Sequence, residues 1–430
     1  MPGFNSDLGM AQSYYAATAH ASASTTMLRG EHAAELVVVG GGCTGLAAAL
    51  HAARAGHDVV LIEGGRIGWG ASGRNGGQII PGLRKGAVEL VKLYGEEHAH
   101  ALFSLAIEAR EAVLDLIERE AIQCDLKRTG HLVGAIRDHD MPALQHEVEC
   151  LASVMDYHEA ELLGPQAITS EVATDYRGGL LDRSGGHLHP LNYTLGLAEA
   201  AARAGARLHE GSPAVGIESS RERVRVATPN GSVRARYCIL AGDALLGTLD
   251  RRIARYIMPI ANYIATTVPL DNPAAVIAHD RAISDTRFVV NYFRLTADGR
   301  LLFGGGEKYT TRPPVDMADF VRPFMERTFP QLKGIPISHA WGGLVSVTRT
   351  RLPHVGREGP VLWAHGYSGM GTILSTLAGS VLARAIDGQA AGLDLFVSIA
   401  PPPFPGGTTL RTPLHTLAML WFAMRDRLGV

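Results

Sequence analysis

The order of apolar and polar positions along the chain predicts strands and helices that build one fold, leave it, and return to it twice. An unbroken apolar run, Leu36 to Val39, suits a strand buried on both faces, and Val59 to Ile62 is a second such run. Between them a small-residue stretch from about Leu46 to Ala55 predicts a helix that Gly56 stops. From Glu96 to Glu120, Ala99, Leu102, Phe103, Ala106, Ala109, Val113, Leu116 and Ile117 recur at three- and four-residue steps, the stripe of a long amphipathic helix. Looser alternation over Leu126 to Ile136 predicts strands, and Pro142 to Met155 another helix. Pro190 is preset to open a helix over Leu191 to Ala204, short β runs follow, and Cys238 to Gly242 reads as a strand returning to the first sheet. Tyr263 to Val268, Phe288 to Leu295 and Leu301 to Gly306 alternate as a second sheet, with Pro314 to Phe329 helical. A last apolar strand, Pro360 to Ala364, leads into a small-residue helix ending near Ala385.

The turn after the first strand carries the chemistry. Gly40, Gly42 and Gly45 fit G-x-G-x-x-G around Cys43 and Thr44, and Glu63 closes the second strand 23 positions beyond Gly40. One glycine makes the tight turn, one lets a pyrophosphate approach the backbone, and one lets helix pack on strand. The helix N-terminus offers free N–H groups to phosphate, and the acid accepts from ribose hydroxyls. A second glycine-dense segment follows at once, from Gly64 to Gln78. A nicotinamide dinucleotide does not need it, so the reading is FAD, with Ala71, Ser72 and Gly73 near the pyrophosphate and ribityl chain. Arg74, Asn75, Gly76, Gly77 and Gln78 are then expected near the flavin ring. Val215 is expected at the adenine end, with Ala241 and Gly242 closing the sheet. Gly366, Tyr367, Ser368, Gly369, Met370, Gly371 and Thr372 form a third glycine-lined helix start, suited to the negative charge of a reduced flavin.

The predicted fold class is therefore α/β: a Rossmann-like FAD-binding domain in discontinuous segments, 33–95, 178–245 and 342–400. An inserted antiparallel-sheet substrate domain of α+β character occupies 96–177 and 246–341, with extensions at 1–32 and 401–430. Composition adds exclusions. A length of 430 residues allows about two or three domains. With 40 basic against 42 acidic residues and a net charge of −2, nothing suggests a nucleic acid partner. The four cysteines have no metal-ligand spacing and read as reduced core thiols. No signal peptide is legible, and Leu417 to Met424 is far short of the ~20 residues of a membrane span, so a cytoplasmic protein is expected. Oligomeric state leaves no mark in the sequence.

The segments SYYAA, VVGGGCTGL, GWGASGRNGGQ, LLDRSGGHLHPLN, YFRLTADGRLLFGGG, FPQLKG, GYSGMG, PFPGG and the closing RDRLGV span nearly the whole chain. Through them the sequence resembles the D-amino-acid-oxidase-like FAD oxidoreductases, a group that includes glycine and sarcosine oxidases. The resemblance implies oxidation by FAD of the terminal amine of gamma-glutamylated putrescine, or a similar N-substituted amine, to an aldehyde. Oxygen would be the acceptor, and ammonia and hydrogen peroxide would be released. Oxidation of an N-methyl or simple amino acid is the alternative, as is a dehydrogenase passing electrons to a membrane quinone. The family pattern has His after GYSG, where this chain has Met370; the exchange removes a protonatable group if that position faces the flavin. None of the four cysteines falls where sarcosine oxidases attach their flavin, so the FAD is expected to be non-covalent.

Amine oxidation on a flavin asks the protein to position a C–H bond and hold the amine neutral, so no catalytic dyad is expected. His187 and His189, on a strand entering a helix, read as structural. Tyr292, Tyr309 and Tyr263 lie on the presumed pocket sheet, where one could orient the amine. Lys308 could place positive charge near the flavin. A glutamyl carboxylate suits a forked guanidinium, for which Arg294, Arg349 and Arg351 are the candidates.

Overall fold

The structure is a computed structural model, and it describes residues 12–20, 25–247, 249–308 and 313–408. Among these, the strands in chain order are β1 (Gly30–Val39), β2 (Val59–Ile62), β3 (Gln78–Ile79), β4 (His131–Gly134), β5 (Ala160–Leu163), β6 (Gly179–Asp182), β7 (Gly186–His187), β8 (Arg207–His209) and β9 (Gly216–Ser219). They continue with β10 (Val224–Thr228), β11 (Gly231–Leu240), β12 (Met258–Thr267), β13 (Ala282–Asp285), β14 (Tyr292–Leu295), β15 (Leu301–Lys308), β16 (Ile337–Val347), β17 (His354–Glu358) and β18 (Val361–His365). The helices are α1 (Tyr14–Ala17), α2 (Cys43–Arg54), α3 (Ala87–Tyr94), α4 (Glu96–Arg119), α5 (Met141–Ser153) and α6 (Pro165–Thr169). After them come α7 (Pro190–Arg203), α8 (Arg251–Ala254), α9 (Met317–Thr328), α10 (Gly371–Ile386) and α11 (Ala391–Ser398).

The first sheet runs β17-β18-β11-β1-β2-β8, with β10 and β9 added beside β11. Its centre is parallel: β1 pairs with β2 and β11, β2 with β8, and β11 with β18. Both faces of that centre must be covered, which is why Leu36–Val39 and Val59–Ile62 are apolar throughout. One face packs on α2, α4, α7 and α10, the other on residues of β10, α8 and the loops beside them. Helix α2 starts at Cys43, three residues before the sequence suggests, because the glycine turn is itself the start of the helix and Gly42 is its N-cap.

The second sheet has the order β16-β12-β15-β14-β13-β4-β6-β5 and is antiparallel except where β13 runs beside β4. Helix α9 covers one face with Val321 and Met325. Two expected boundaries move: β6 pairs with β4 and β5, and β16 with β12, so residues 179–182 and 342–347 belong to this sheet. Apolar runs such as Leu180-Leu181 fit either sheet, and only the register distinguishes them.

The N-terminal SYYAA segment docks, as its aromatic content suggests. Ser13 caps α1 by accepting from the Ala16 N–H at 3.1 Å, and Tyr14 and Tyr15 are buried. Tyr15 lies edge-on to Trp341 of β16 (5.2 Å between ring centroids) and to His189 (4.9 Å), so this short strap crosses from the second sheet to α7. Leu417–Met424 and the closing RDRLGV lie outside the described residues. No helix among the described residues is long and apolar enough to cross a membrane.

Candidate cofactor site

The carboxyl ends of β1, β2 and β11 open onto one elongated cavity of about 420 Å3. Its first stretch of wall is Val39 to Thr44 and Ile62 to Gly65. Gly40 has φ +117°, and a Cβ on it would stand 2.7 Å from the Ala241 carbonyl oxygen; a Cβ on Gly45 would stand 2.0 Å from the Gly40 oxygen. Both positions therefore exclude any side chain, and Gly45 lies beneath the cavity wall. Glu63 accepts from the Gly41 N–H at 2.6 Å and the Gly65 N–H at 2.7 Å. Burial raises its carboxyl pKa above the usual value, and those two amides oppose the rise only in part.

The second glycine segment folds against the first. Ser72 Oγ accepts from the Cys43 N–H at 3.0 Å, and Trp69 to Ser72, Arg74 and Asn75 line the cavity. Arg74 donates to the carbonyls of Trp69 (2.6 Å) and Gly342 (3.1 Å), its guanidinium lies over the Trp69 ring, and its own carbonyl accepts from Trp341 Nε1. The segment is thereby fixed to β16. Asn75 donates to the Ala71 and Ser72 carbonyls, and its Oδ1 accepts from the Gly77 N–H at 2.7 Å and stands 3.5 Å from Thr372 Oγ1.

The third stretch is Tyr367, Ser368, Gly369, Gly371, Thr372 and Ser375, at the start of α10. Tyr367 OH lies 2.7 Å from Thr44 Oγ1, which joins the N-termini of α2 and α10. Neither helix is capped by its own N-cap side chain or has an acid in its first turn, and among the described residues only Ser72 takes a leading amide of α2, that of Cys43. Two sets of free amide groups therefore face one cavity and favour negative charge there. A Cβ on Gly369 would meet no protein atom within 4 Å, so the wall is bare backbone at that point. This donor set fits a long anionic cofactor: Glu63 for ribose, the α2 amides for pyrophosphate, and the α10 amides for a ring that gains charge.

The structure brings Gly40, Gly42, Cys43, Thr44, Glu63, Gly64, Ala71, Ser72, Arg74, Asn75, Ala241, Gly242, Tyr367, Ser368, Gly369, Gly371 and Thr372 to this cavity. It places the other expected residues elsewhere. Val215 is 63% exposed, and its neighbours Pro213 and Ala214 line the wall instead. Gly366 lies just behind, its N–H donating to Asp243 Oδ1. Met370 is buried among the core side chains around α10. Gly76 packs against the Tyr292 ring, Gly77 donates to Asn75, and Gln78 is buried and donates to the carbonyls of Ile283 and Phe293.

Tyr292 donates its hydroxyl to Asn262 Oδ1 at 2.5 Å, and Tyr263 is fully buried against Phe320. Arg294 is buried with its donors committed to backbone carbonyls and the Tyr15 hydroxyl. Arg349 donates to the Pro403 carbonyl, and Arg351 lies over the Phe288 ring at 5.0 Å. Lys308 ends β15, and Tyr309 lies outside the described residues. His187 lies 3.1 Å from Asp280, and His189 Nδ1 accepts from the Asn192 N–H to cap α7, both as the sequence suggests. Burial, then the nearby Arg294, lower the His189 pKa to about 3.

Residues that sequence reasoning passed over also reach the cavity: Asp243, Tyr193, and Gly343 to Ser346 of β16. Asp243 follows the Ala241-Gly242 strand end and holds φ +44°, and that adjacency was its signal. The β16 residues gave none, since they arrive from the other sheet.

Comparison with known proteins agrees with this geometry. The family described as FAD dependent oxidoreductase matches residues 35–385. Gamma-glutamylputrescine oxidoreductase of Escherichia coli (strain K12) is 40% identical over 423 residues, which cover 97% of this chain and 99% of that protein. Among solved structures, glycine oxidase from Geobacillus kaustophilus superposes with TM-score 0.72 at 20% identity, over 83% of this chain and 95% of its own. L-proline dehydrogenase from P. horikoshii gives 0.70 at 22% identity, over 84% of this chain and 94% of its own. A wall of bare amides around one cavity and a match along most of the chain lead to the same conclusion: this protein belongs to the FAD-dependent oxidoreductase family.

Proposed function

We propose that the enzyme oxidises the terminal amine of gamma-glutamylputrescine, or a similar N-substituted amine, to the aldehyde, releasing ammonia and hydrogen peroxide. The observation that carries the reading is the end-to-end likeness to the Escherichia coli relative that bears this substrate in its name. When bound, FAD supplies an acceptor for the hydride that leaves the carbon beside the amine nitrogen. The chain's own work is to bind and orient. Glu63 and the amides of α2 hold the adenosine and pyrophosphate portion, without a covalent bond. Ala71 and Ser72 hold the ribityl stretch, and Arg74, Asn75 and the start of α10 hold the ring portion.

Removing water from an alkylammonium favours its neutral form, which is the form that can give up hydride. Tyr292, fixed by Asn262, is proposed to wall the space where the amine sits. Arg349 and Arg351 are the guanidinium groups proposed for the glutamyl carboxylate. The four cysteines, all buried and unpaired, suit the cytoplasm as the compartment.

The test is peroxide and aldehyde production across gamma-glutamylputrescine, putrescine, sarcosine and glycine. The glutamylated diamine is expected to show the highest kcat/KM. If it never reduces the flavin while sarcosine does, the proposed substrate is wrong.

A further inference from the structure

Arg294, on β14, is 4% exposed, and each partner of its guanidinium is neutral. Nε donates to the Gly76 carbonyl at 2.6 Å, Nη1 to the Leu295 carbonyl at 2.8 Å, and Nη2 to the Tyr15 hydroxyl at 3.1 Å and the Leu188 carbonyl at 3.0 Å. Among the described residues no carboxylate lies within 4 Å of it. A gap of about 10 Å3 beside it is lined by Asp125, Lys127, His187, His189 and Asp280, of which Asp280 is engaged by His187. A buried cation whose direct hydrogen-bond partners are all neutral is incompletely compensated. A fold that retains one is ready for negative charge from another source.

The carbonyls it grips locate that source. Leu188 lines the cofactor cavity, and Gly76 directly follows Asn75, which does the same. Tyr15, the acceptor on the far side, is delivered by the N-terminal strap and is fully buried. We propose that Arg294 is a positioning residue that sets the cofactor's redox behaviour. Tyr15 and the two carbonyls hold its charge behind the cavity wall, where it stabilises the reduced, anionic flavin and fixes the Gly76 turn. The inference rests on the family's FAD and is independent of which amine is oxidised.

The experiment uses FAD-loaded Arg294→Met, Arg294→Lys and Tyr15→Phe proteins. It reads the flavin midpoint potential against a reference dye, and the affinity for sulfite, a probe that nearby positive charge favours. Arg294→Met is expected to bind sulfite about tenfold more weakly. Its potential should fall by about 30 mV for each tenfold shift in a two-electron couple. Arg294→Lys, which keeps the charge but not the fork, should stay near the parent in both readings while losing FAD faster, and Tyr15→Phe should shift them slightly in the direction of Arg294→Met. A folded, loaded Arg294→Met protein with the parental potential overturns the proposal, as does an Arg294→Lys protein that falls as far as Arg294→Met. If Arg294→Met does not fold, a Tyr15→Phe protein at the parental potential beside a strongly lowered Arg294→Lys protein overturns it equally.

Discussion

The two ends of the cofactor cavity are built in opposite ways. One, lined by Gly40 to Thr44 and Glu63 to Gly65, comes from a single βαβ stretch whose parts are neighbours in sequence. The other gathers Trp69 to Asn75, Gly343 to Ser346 and Tyr367 to Ser375 from three distant stretches, tied by Arg74 to the Gly342 carbonyl, by Asn75 beside Thr372, and by Tyr367 to Thr44. The local end is a rigid backbone surface with no room for change. The assembled end depends on side chains from two sheets, so it can be retuned without loss of the cofactor.

If that contrast holds, substitutions at the local end should remove FAD, and those at the assembled end should leave FAD bound and alter what it does. The largest effect is expected from Gly45→Val, whose Cβ would stand 2.0 Å from the Gly40 oxygen. The clash should cost more than about 3 kcal/mol in folding or cofactor affinity, so the purified protein should be colourless. Glu63→Gln should come next. Loss of the charged acceptor for the Gly41 and Gly65 amides and for ribose should weaken FAD binding by about 2 kcal/mol, read from flavin release, while the loaded fraction keeps its substrate KM. Tyr292→Phe breaks the bond to Asn262 beside Gly76, next to the assembled end, and should lower kcat/KM for the amine about tenfold at full flavin content. A loss of flavin from Tyr292→Phe would erase the distinction between the ends.

The smallest expected effect is a pH dependence. His57 is held between Glu35 at 2.9 Å and Asp387 at 2.8 Å, linking β1 to the C-cap of α10. Burial pulls its pKa down, but the two carboxylates outweigh it and the net shift is upward. A raised folded pKa means the contribution is complete below the ordinary histidine value of about 6.5 and is lost as pH rises through the folded value. His57→Gln should flatten the dependence of Tm on pH over that window; a slope equal to the parent's would show that the clamp contributes nothing.

The same contrast governs how much was legible in the sequence. The strand, glycine turn, helix and acid from Leu36 to Glu63 were readable because each reports a neighbour's requirement. The long stripe of α4 was readable for the same reason. The contribution of β16 was not, since Gly343 to Ser346 meet the cavity only through pairing with β12 and contact with Arg74. Arg294 shows the limit from the other side. Its sequence context suggested a substrate ligand, and only the fold shows Gly76, Leu188 and Tyr15 converging on its guanidinium.

The most direct test of the account is anaerobic titration of the purified yellow protein with gamma-glutamylputrescine, following the visible flavin absorbance. The account predicts complete bleaching at one equivalent of amine per chain, and recovery of colour on admitting air. Protein that carries no FAD, or a flavin whose spectrum does not change with any amine, would contradict it.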